Sequence, residues 1–222
     1  MSSSITVIIP TLNEEESIGE VIDSIPKVEE ILVVDSNSKD RTKEIAMAKG
    51  ARVINEPRLG YGRAYKTGFE NAKGDIIVTL DGDMTYPAED ILKLVEILEK
   101  ENLDFISCDR LSQLEKGVMS FQHRFGNWVL KFFTNLLFRM KIKDSQSGMW
   151  VFRRSILDKL NLTSEGMPLS EEIKIEASKK VRFKEVSIKY RIRKGEAKIR
   201  SFGDGMKNLL FLFKKRFRGT KL

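Results

Sequence analysis

Along the first half of the chain, short β-branched runs alternate with segments whose apolar residues recur every three to four positions. ITVII (residues 5–9), EILVVD (30–35), ARVIN (51–55), DIIVTL (75–80) and LDFISC (103–108) read as strands. Between them, EEESIGEVIDSI places Ile18, Val21, Ile22 and Ile25 on one helical face. RTKEIAMAKG is a second helix, with Asp40 placed to cap it and Gly50 to end it. A third runs from the Gly-rich PRLGYGRAY to Ala72, and AEDILKLVEILEKE is a fourth. This alternation predicts βαβ units, hence a mostly parallel central sheet with helices on both faces. In such sheets ligands bind beyond the carboxyl ends of the strands, which puts Asp35, Asp81 and Asp83 on one rim.

The second half has a different texture. Phe125, Trp128, Val129, Phe132, Phe133, Leu136, Leu137 and Met140 form a helical stripe flanked by Arg124, Lys131, Arg139, Lys141 and Lys143. MKNLLFLFKKRFRGTKL at the end repeats the aromatic and basic mixture. One such stripe reads as a core helix. Two of them bring a helix lying in a membrane interface level with that reading. At 222 residues, 41% of them hydrophobic and 32% charged, the chain can bury a full core, which argues against disorder. The expected organisation is one catalytic domain over 1–222: a nucleotide-binding half (1–110), an acceptor-binding half (111–200) and a basic amphipathic tail (201–222). The net charge of +7 includes five basic residues and no acid between Lys214 and Lys221. That tail suits nucleic acid, anionic lipid or phosphorylated ligands alike. The lone Cys108 has no partner for a disulfide, MSSSITVIIP lacks a basic leader region, and no apolar run reaches membrane-spanning length. A cytoplasmic protein is the expectation.

Candidate chemistry gathers at the expected strand ends. In TLDGDMTYP, Asp81 and Asp83 are two residues apart, so in extended backbone both carboxylates point the same way. Such a pair suits Mg²⁺ or Mn²⁺ that also holds substrate phosphates, although Asp-Gly is equally a common turn. In IIPTLNEEES, Pro10 stiffens the strand exit, while Asn13 and Glu14 either read a nucleoside or cap the next helix, with Thr11 the other candidate cap. Asp35 stands where a carboxylate meets ribose or base. Gly60 and Gly62, with Arg58, Arg63 and Lys66, offer a phosphate cradle that matches neither a P-loop nor a dinucleotide fingerprint.

An ordered set of motifs runs through nearly the whole chain: VIIPTLNEEESI, VVDSNSKDRT, RLGYGRAYKTGF, DGDMTYPAED, DRL, HRFGN, DSQSGMWVFRR, PLSEEIKIEA and RIRKGEAKIRSF. Together they resemble the inverting family 2 glycosyltransferases of the GT-A fold, and within them the dolichol-phosphate mannose synthase group. The resemblance implies a nucleotide-sugar donor (GDP-mannose or a UDP-hexose), a divalent metal on Asp81 and Asp83, and a polyprenyl or dolichyl phosphate acceptor. It implies nucleoside contacts from Pro10, Asn13, Glu14 and Asp35, and acceptor-phosphate contacts from Arg110 and Arg124. It also implies an acceptor-side loop with Asp144, Ser147 and Gly148, and a mobile basic loop carrying Arg193 and Lys198 over the donor phosphates. The sequence departs from mannose synthases at Ser36 and at Met84, Thr85 and Tyr86, all on the donor side.

The chemistry agrees with that resemblance. A phosphomonoester is already anionic near neutral pH and needs no strong base, so Glu171 and Glu172 read as orienting residues and His123 as a helix-start residue. The site's task is to bring two anionic groups together, with Asp83, Arg110 and Arg124 carrying the reaction through charge and position. The lipid acceptor implies a protein held peripherally at the cytoplasmic membrane face, by its two stripes or by a separate membrane subunit. Transfer to a glycan hydroxyl is the nearest alternative. A nucleotide- or RNA-binding module fits less well, because the aromatics lie on helical stripes and acids crowd the strand ends, so no nucleic-acid partner is expected.

Overall fold

A computed structural model describes residues 3–194 and 201–218. Its centre is a seven-stranded sheet in the order β3-β2-β1-β4-β6-β5-β7. The strands are β1 (Ile5–Thr11), β2 (Glu30–Asp35), β3 (Arg52–Asn55), β4 (Ile76–Thr79), β5 (Phe105–Asp109), β6 (Trp150–Arg153) and β7 (Phe183–Ser187). The helices are α1 (Ile18–Ser24), α2 (Thr42–Ala48), α3 (Tyr61–Asn71), α4 (Ile91–Lys100), α5 (Phe121–Phe138), α6 (Leu169–Lys180) and α7 (Ser201–Arg218).

The five expected strands and four expected helices of the first half are all present. β1 and β4 are buried along almost their entire length, as central strands covered on both faces must be. Alternation divides them between two cores. Val7, Ile9, Val33, Ile76 and Val78 pack with α1, α2 and α4, where Ile18, Val21, Ile91 and Leu94 point inward. Ile8, Leu32, Val34 and Ile77 pack on the other side with Tyr65 and Phe69 of α3 and Ile173 of α6.

Two features depart from the expected arrangement. α1 begins at Ile18, because Glu14–Ser17 form a turn, and Ser17 rather than Thr11 or Asn13 occupies the cap position. β6 enters between β4 and β5 antiparallel to both, while the remaining pairings are parallel. That reversal has a consequence for the site. The segment preceding β6, residues 144–148, lies on the same rim as the carboxyl ends of its neighbours.

A third, smaller cluster (Leu130, Phe138, Ile175 and Leu212) fastens α5 and α7 onto α6. It uses only part of the α5 stripe. Phe121, Phe125, Trp128, Phe132 and Leu136 stay exposed, so α5 is a half-packed helix rather than a core one. No helix among the described residues is long and apolar enough to cross a membrane.

Candidate active site

The rim encloses a cavity of about 640 Å³ whose walls include Pro10, Glu14, Asp81, Asp83, Arg110 and Arg193. Both acids follow β4. The Asp83 carboxylate accepts from the Thr85 amide (3.1 Å) and hydroxyl (2.6 Å), which holds it aimed across the turn. Asp81 accepts from the Tyr65 hydroxyl at 3.3 Å and makes no ion pair among the described residues. Burial, with the Asp83 charge beside it, pushes the Asp81 carboxyl up to about 7, against the opposing pull of Arg110. A cation between the two acids would remove this penalty, so Asp81 and Asp83 are the residues that could hold a divalent metal. No group of three or more His, Cys, Asp or Glu occurs among the described residues, which leaves the other coordination positions to substrate or water.

The opposite wall is built on Arg110, at the end of β5. Its guanidinium is clamped by Asp144 through Nε (2.7 Å) and Nη2 (3.0 Å), and its backbone amide donates to the same carboxylate. It also lies 5.2 Å from the centre of the Tyr190 ring. Burial alone would raise the Asp144 carboxyl, but Arg110 and then Lys174 hold it far below the usual carboxylate range. Lys174, fully buried, donates to the Asp144 carbonyl at 3.0 Å. Asp144 therefore positions Arg110 and does not line the cavity. Neither does Ser147; Gln146, between them, does.

Arg193 closes the cavity beside the acid turn. Its Nη1 donates to Asp83 at 2.8 Å and its Nη2 to Glu14 at 3.0 Å. Backbone bonds from Arg191 to Thr85 and from Lys194 to Asp83 lay this segment along the acid turn. Lys198 lies outside the described residues.

Several expected site residues have other duties. Asp35 is buried, accepts from Ser38 and Thr11, and does not line the cavity; its neighbour Ser36 does. Asn13 is exposed and ties its loop to the next one, accepting from the Lys39 amide at 2.7 Å. Arg124 is exposed on the first turns of α5, where it lines a separate groove of about 410 Å³ with Phe121, Phe125 and Trp128. The expected phosphate cradle is not one. Arg58 and Arg63 pair with Glu56, and Lys66 with Glu165. Gly60 and Gly62 are glycines because residues 164–166 pass over them: an added Cβ would lie 2.3 Å from the Glu165 carbonyl and 2.7 Å from that of Ser164.

Sequence reasoning gave the tyrosines no role and marked only Tyr86, as a departure on the donor side. The chain has four, Tyr61, Tyr65, Tyr86 and Tyr190, and all surround the acids. Burial pushes Tyr61, Tyr65 and Tyr86 far above the ordinary phenol value, so they stay neutral hydrogen-bonding groups. The Tyr86 hydroxyl accepts from the Gly148 amide at 2.7 Å, joining the acid turn to the loop before β6. Tyr61, Tyr65 and Tyr86 stand in the quoted motifs, and that recurrence was the available signal; Tyr190 falls just outside them. Glu171 is buried behind Gln146, which donates to it, and burial pushes it up to about 8. Glu172 accepts from Thr163 and Ser164 and from Lys215 of α7, an orienting role. His123 lies exposed in the first turn of α5, its amide donating to the capping Ser120.

A mostly parallel seven-stranded sheet with helices around it is the fold of GT-A glycosyltransferases. Residues 6–160 match the family Glycosyl transferase family 2, and the chain belongs to that family. Among its relatives, the low-salt glycan biosynthesis hexosyltransferase Agl6 of Haloferax volcanii is 36% identical over 96% of this chain. The dolichyl-phosphate hexose transferase of the same organism is 35% identical over 90% of it. The chain spans 54% of the first relative, about half its length, and 89% of the second. The fold is shared with glucosyl-3-phosphoglycerate synthase of Mycobacterium tuberculosis, solved with Mn²⁺, UDP-glucose and phosphoglyceric acid. That match has a TM-score of 0.78 at 23% identity and covers 96% of this chain and 79% of the other.

Proposed function

We propose that the protein transfers a hexose from a nucleotide-diphospho-sugar to a polyprenyl (dolichyl) phosphate, with inversion at the anomeric carbon. The observation that carries this reading is Arg110, clamped by Asp144 and facing Asp81 and Asp83 across one cavity. A bidentate carboxylate leaves the guanidinium's remaining N–H groups for an anion and fixes their direction. The name of the dolichyl-phosphate hexose transferase supports the acceptor class, and the Mn²⁺ and UDP-glucose of the M. tuberculosis synthase support the donor class.

Asp81 and Asp83 would hold Mg²⁺ or Mn²⁺, which supplies charge neutralisation at the departing diphosphate. Pro10, Glu14 and Ser36 border the nucleoside end, while Asp35 and Asn13 act through the loops they fix. Arg193, already on Asp83 and Glu14, would shift to the donor phosphates as the metal takes its place. Arg110 orients the acceptor phosphate for in-line attack, and positioning with charge stabilisation does the rest. Glu171, hidden behind Gln146 and raised to about 8, is poorly placed to activate a hydroxyl, which disfavours a glycan-hydroxyl acceptor.

The chain from 1 to 222 would act as one catalytic unit held peripherally at the cytoplasmic membrane face. Phe121, Phe125, Trp128, Phe132 and Leu136 on α5, beside Arg124 and Lys131, have the apolar and basic mixture that an anionic bilayer surface attracts. Arg124 then serves the lipid surface rather than the phosphate in the cavity. A separate membrane subunit is the other attachment route. Incubation with a panel of nucleotide sugars, Mn²⁺ and a short polyprenyl phosphate is the test. A lipid-linked sugar from one donor is the expected result, and no such product from any donor would overturn the reading.

A further inference from the structure

We infer that Lys207 of α7 is a second cation for the acceptor phosphate, on the wall of the cavity that also holds Arg110 and the acid pair. The inference rests on the polyprenyl-phosphate reading above. Lys207 borders the same cavity as Arg110, Asp81 and Asp83, whereas Arg124 does not. Its ammonium pairs with Asp204, one turn earlier and also on the cavity wall, at 3.5 Å. That exposed pair contributes little stability, so a stronger anion can take the ammonium from Asp204 at small cost.

The helix carrying Lys207 is not free to drift. The next residue, Asn208, is buried and its side-chain amide donates to the side-chain Oε1 of Gln146 at 2.8 Å; Gln146 itself lines the cavity. Leu212 is fully buried against Leu130, Phe138 and Ile175. Lys215 then reaches Glu172 at 3.0 Å and Glu176 at 2.9 Å on α6. Three successive turns of α7 are thus pinned, and Lys207 projects from the first of them.

The surroundings select the acceptor rather than the donor. Met206 and Leu210, beside Lys207 and one turn after it, are 47% and 62% exposed. A cation at the cavity lip flanked by exposed apolar side chains matches a molecule with an anionic head and a hydrocarbon tail.

The test is calorimetric binding of farnesyl phosphate and of farnesol to the full chain and to Lys207→Gln and Lys207→Arg. The wild type is expected to prefer the phosphate. Lys207→Gln should bind farnesyl phosphate on the order of tenfold more weakly, with farnesol unchanged and Lys207→Arg close to wild type. In turnover, the acceptor KM should rise by about the same factor with kcat and donor KM held. Unaltered farnesyl phosphate binding by Lys207→Gln overturns the inference, as does a loss confined to nucleoside diphosphate with Mn²⁺, which would place Lys207 on the donor. A wild type with no preference for the phosphate would instead overturn the acceptor reading itself, and this inference with it.

Discussion

Arg110 sits on the rim at the strand ends, 8% exposed and clamped by a buried carboxylate. Arg124 sits on the layer formed by α5 and α7, exposed among aromatic side chains that nothing covers among the described residues. Motif spacing treats the two as equivalent, but the fold gives them opposite surroundings. On the rim, Asp83, Asp144 and Glu14 each have a fixed donor, and the glycines admit close backbone passage. On the layer, half of an apolar stripe faces outward. Preorganised charge is what a reaction between two anions needs. Uncovered apolar area beside cations is what a surface-seeking helix needs. The two regions meet at α7, which contributes Lys207 to one and Leu210 to the other.

The sharpest way to break this contrast is at the acid pair. Asp81→Asn should lower transfer on the order of a hundredfold to a thousandfold, the range seen when a key electrostatic group is removed. It should not destabilise the fold, because burial and Asp83 already oppose the Asp81 charge. Product formation and a thermal melt read the two effects separately. A variant retaining a tenth of wild-type transfer would contradict the role given to the pair.

The clamp is next. Asp144→Ala leaves Arg110 buried without its carboxylate and removes the negative charge near Lys174, whose bond to the main-chain carbonyl persists, and should cost about 3–5 kcal/mol. Arg124→Ala should change stability by less than about 0.5 kcal/mol, as an exposed substitution. Urea denaturation of both variants checks the difference, and equal losses would erase the distinction between rim and layer.

How much of this was readable in the sequence follows the same division. The first-half strands and helices were legible because local periodicity decides them, and Asp81 and Asp83 because extended backbone aligns alternate side chains. Residues whose role depends on a distant partner were not. Arg58, Arg63 and Lys66 look like a phosphate cradle until Glu56 and Glu165 arrive from elsewhere in the fold. Asp35 resembles a ligand contact until Ser38 and Thr11 engage it. β7 is only partly buried and carries no strong pattern of its own, and β6, though as apolar as β4, lies antiparallel and outside the strand–helix alternation that marks the others. The α5 stripe has the period of a core helix, and period alone cannot tell how many sides will be covered.

Two glycines test the regions at equal chemistry. At Gly148, on the rim, an added Cβ would stand 2.3 Å from the Tyr61 hydroxyl and 3.4 Å from Asp81. Gly148→Ala should therefore cost about 1–3 kcal/mol, as overpacking does, and reduce transfer more than tenfold by displacing Asp81. At Gly126, inside α5, an added Cβ meets nothing within 4 Å. Gly126→Ala should stabilise the fold by about 0.5–1 kcal/mol through helix propensity and lower unfolded-state entropy. Opposite signs in paired melts are the expected outcome.

The last contrast leaves the fold untouched. Trp128 is 53% exposed, its ring stacked between Phe125 at 6.0 Å and Phe132 at 5.9 Å. Trp128→Glu adds a negative charge and removes the middle of that stack without opening a cavity, so the melting midpoint should scarcely move. Binding to vesicles containing anionic lipid should nevertheless weaken on the order of tenfold, because apolar insertion and charge attraction fall together. Transfer to a short, water-soluble polyprenyl phosphate should persist, since the cavity walls are intact, while transfer to a long-chain acceptor in vesicles should fall. Flotation with the two acceptors run side by side separates these effects. Equal losses on both acceptors would mean that α5 serves the rim after all, and the division between an ordered site and an uncovered docking layer would not hold.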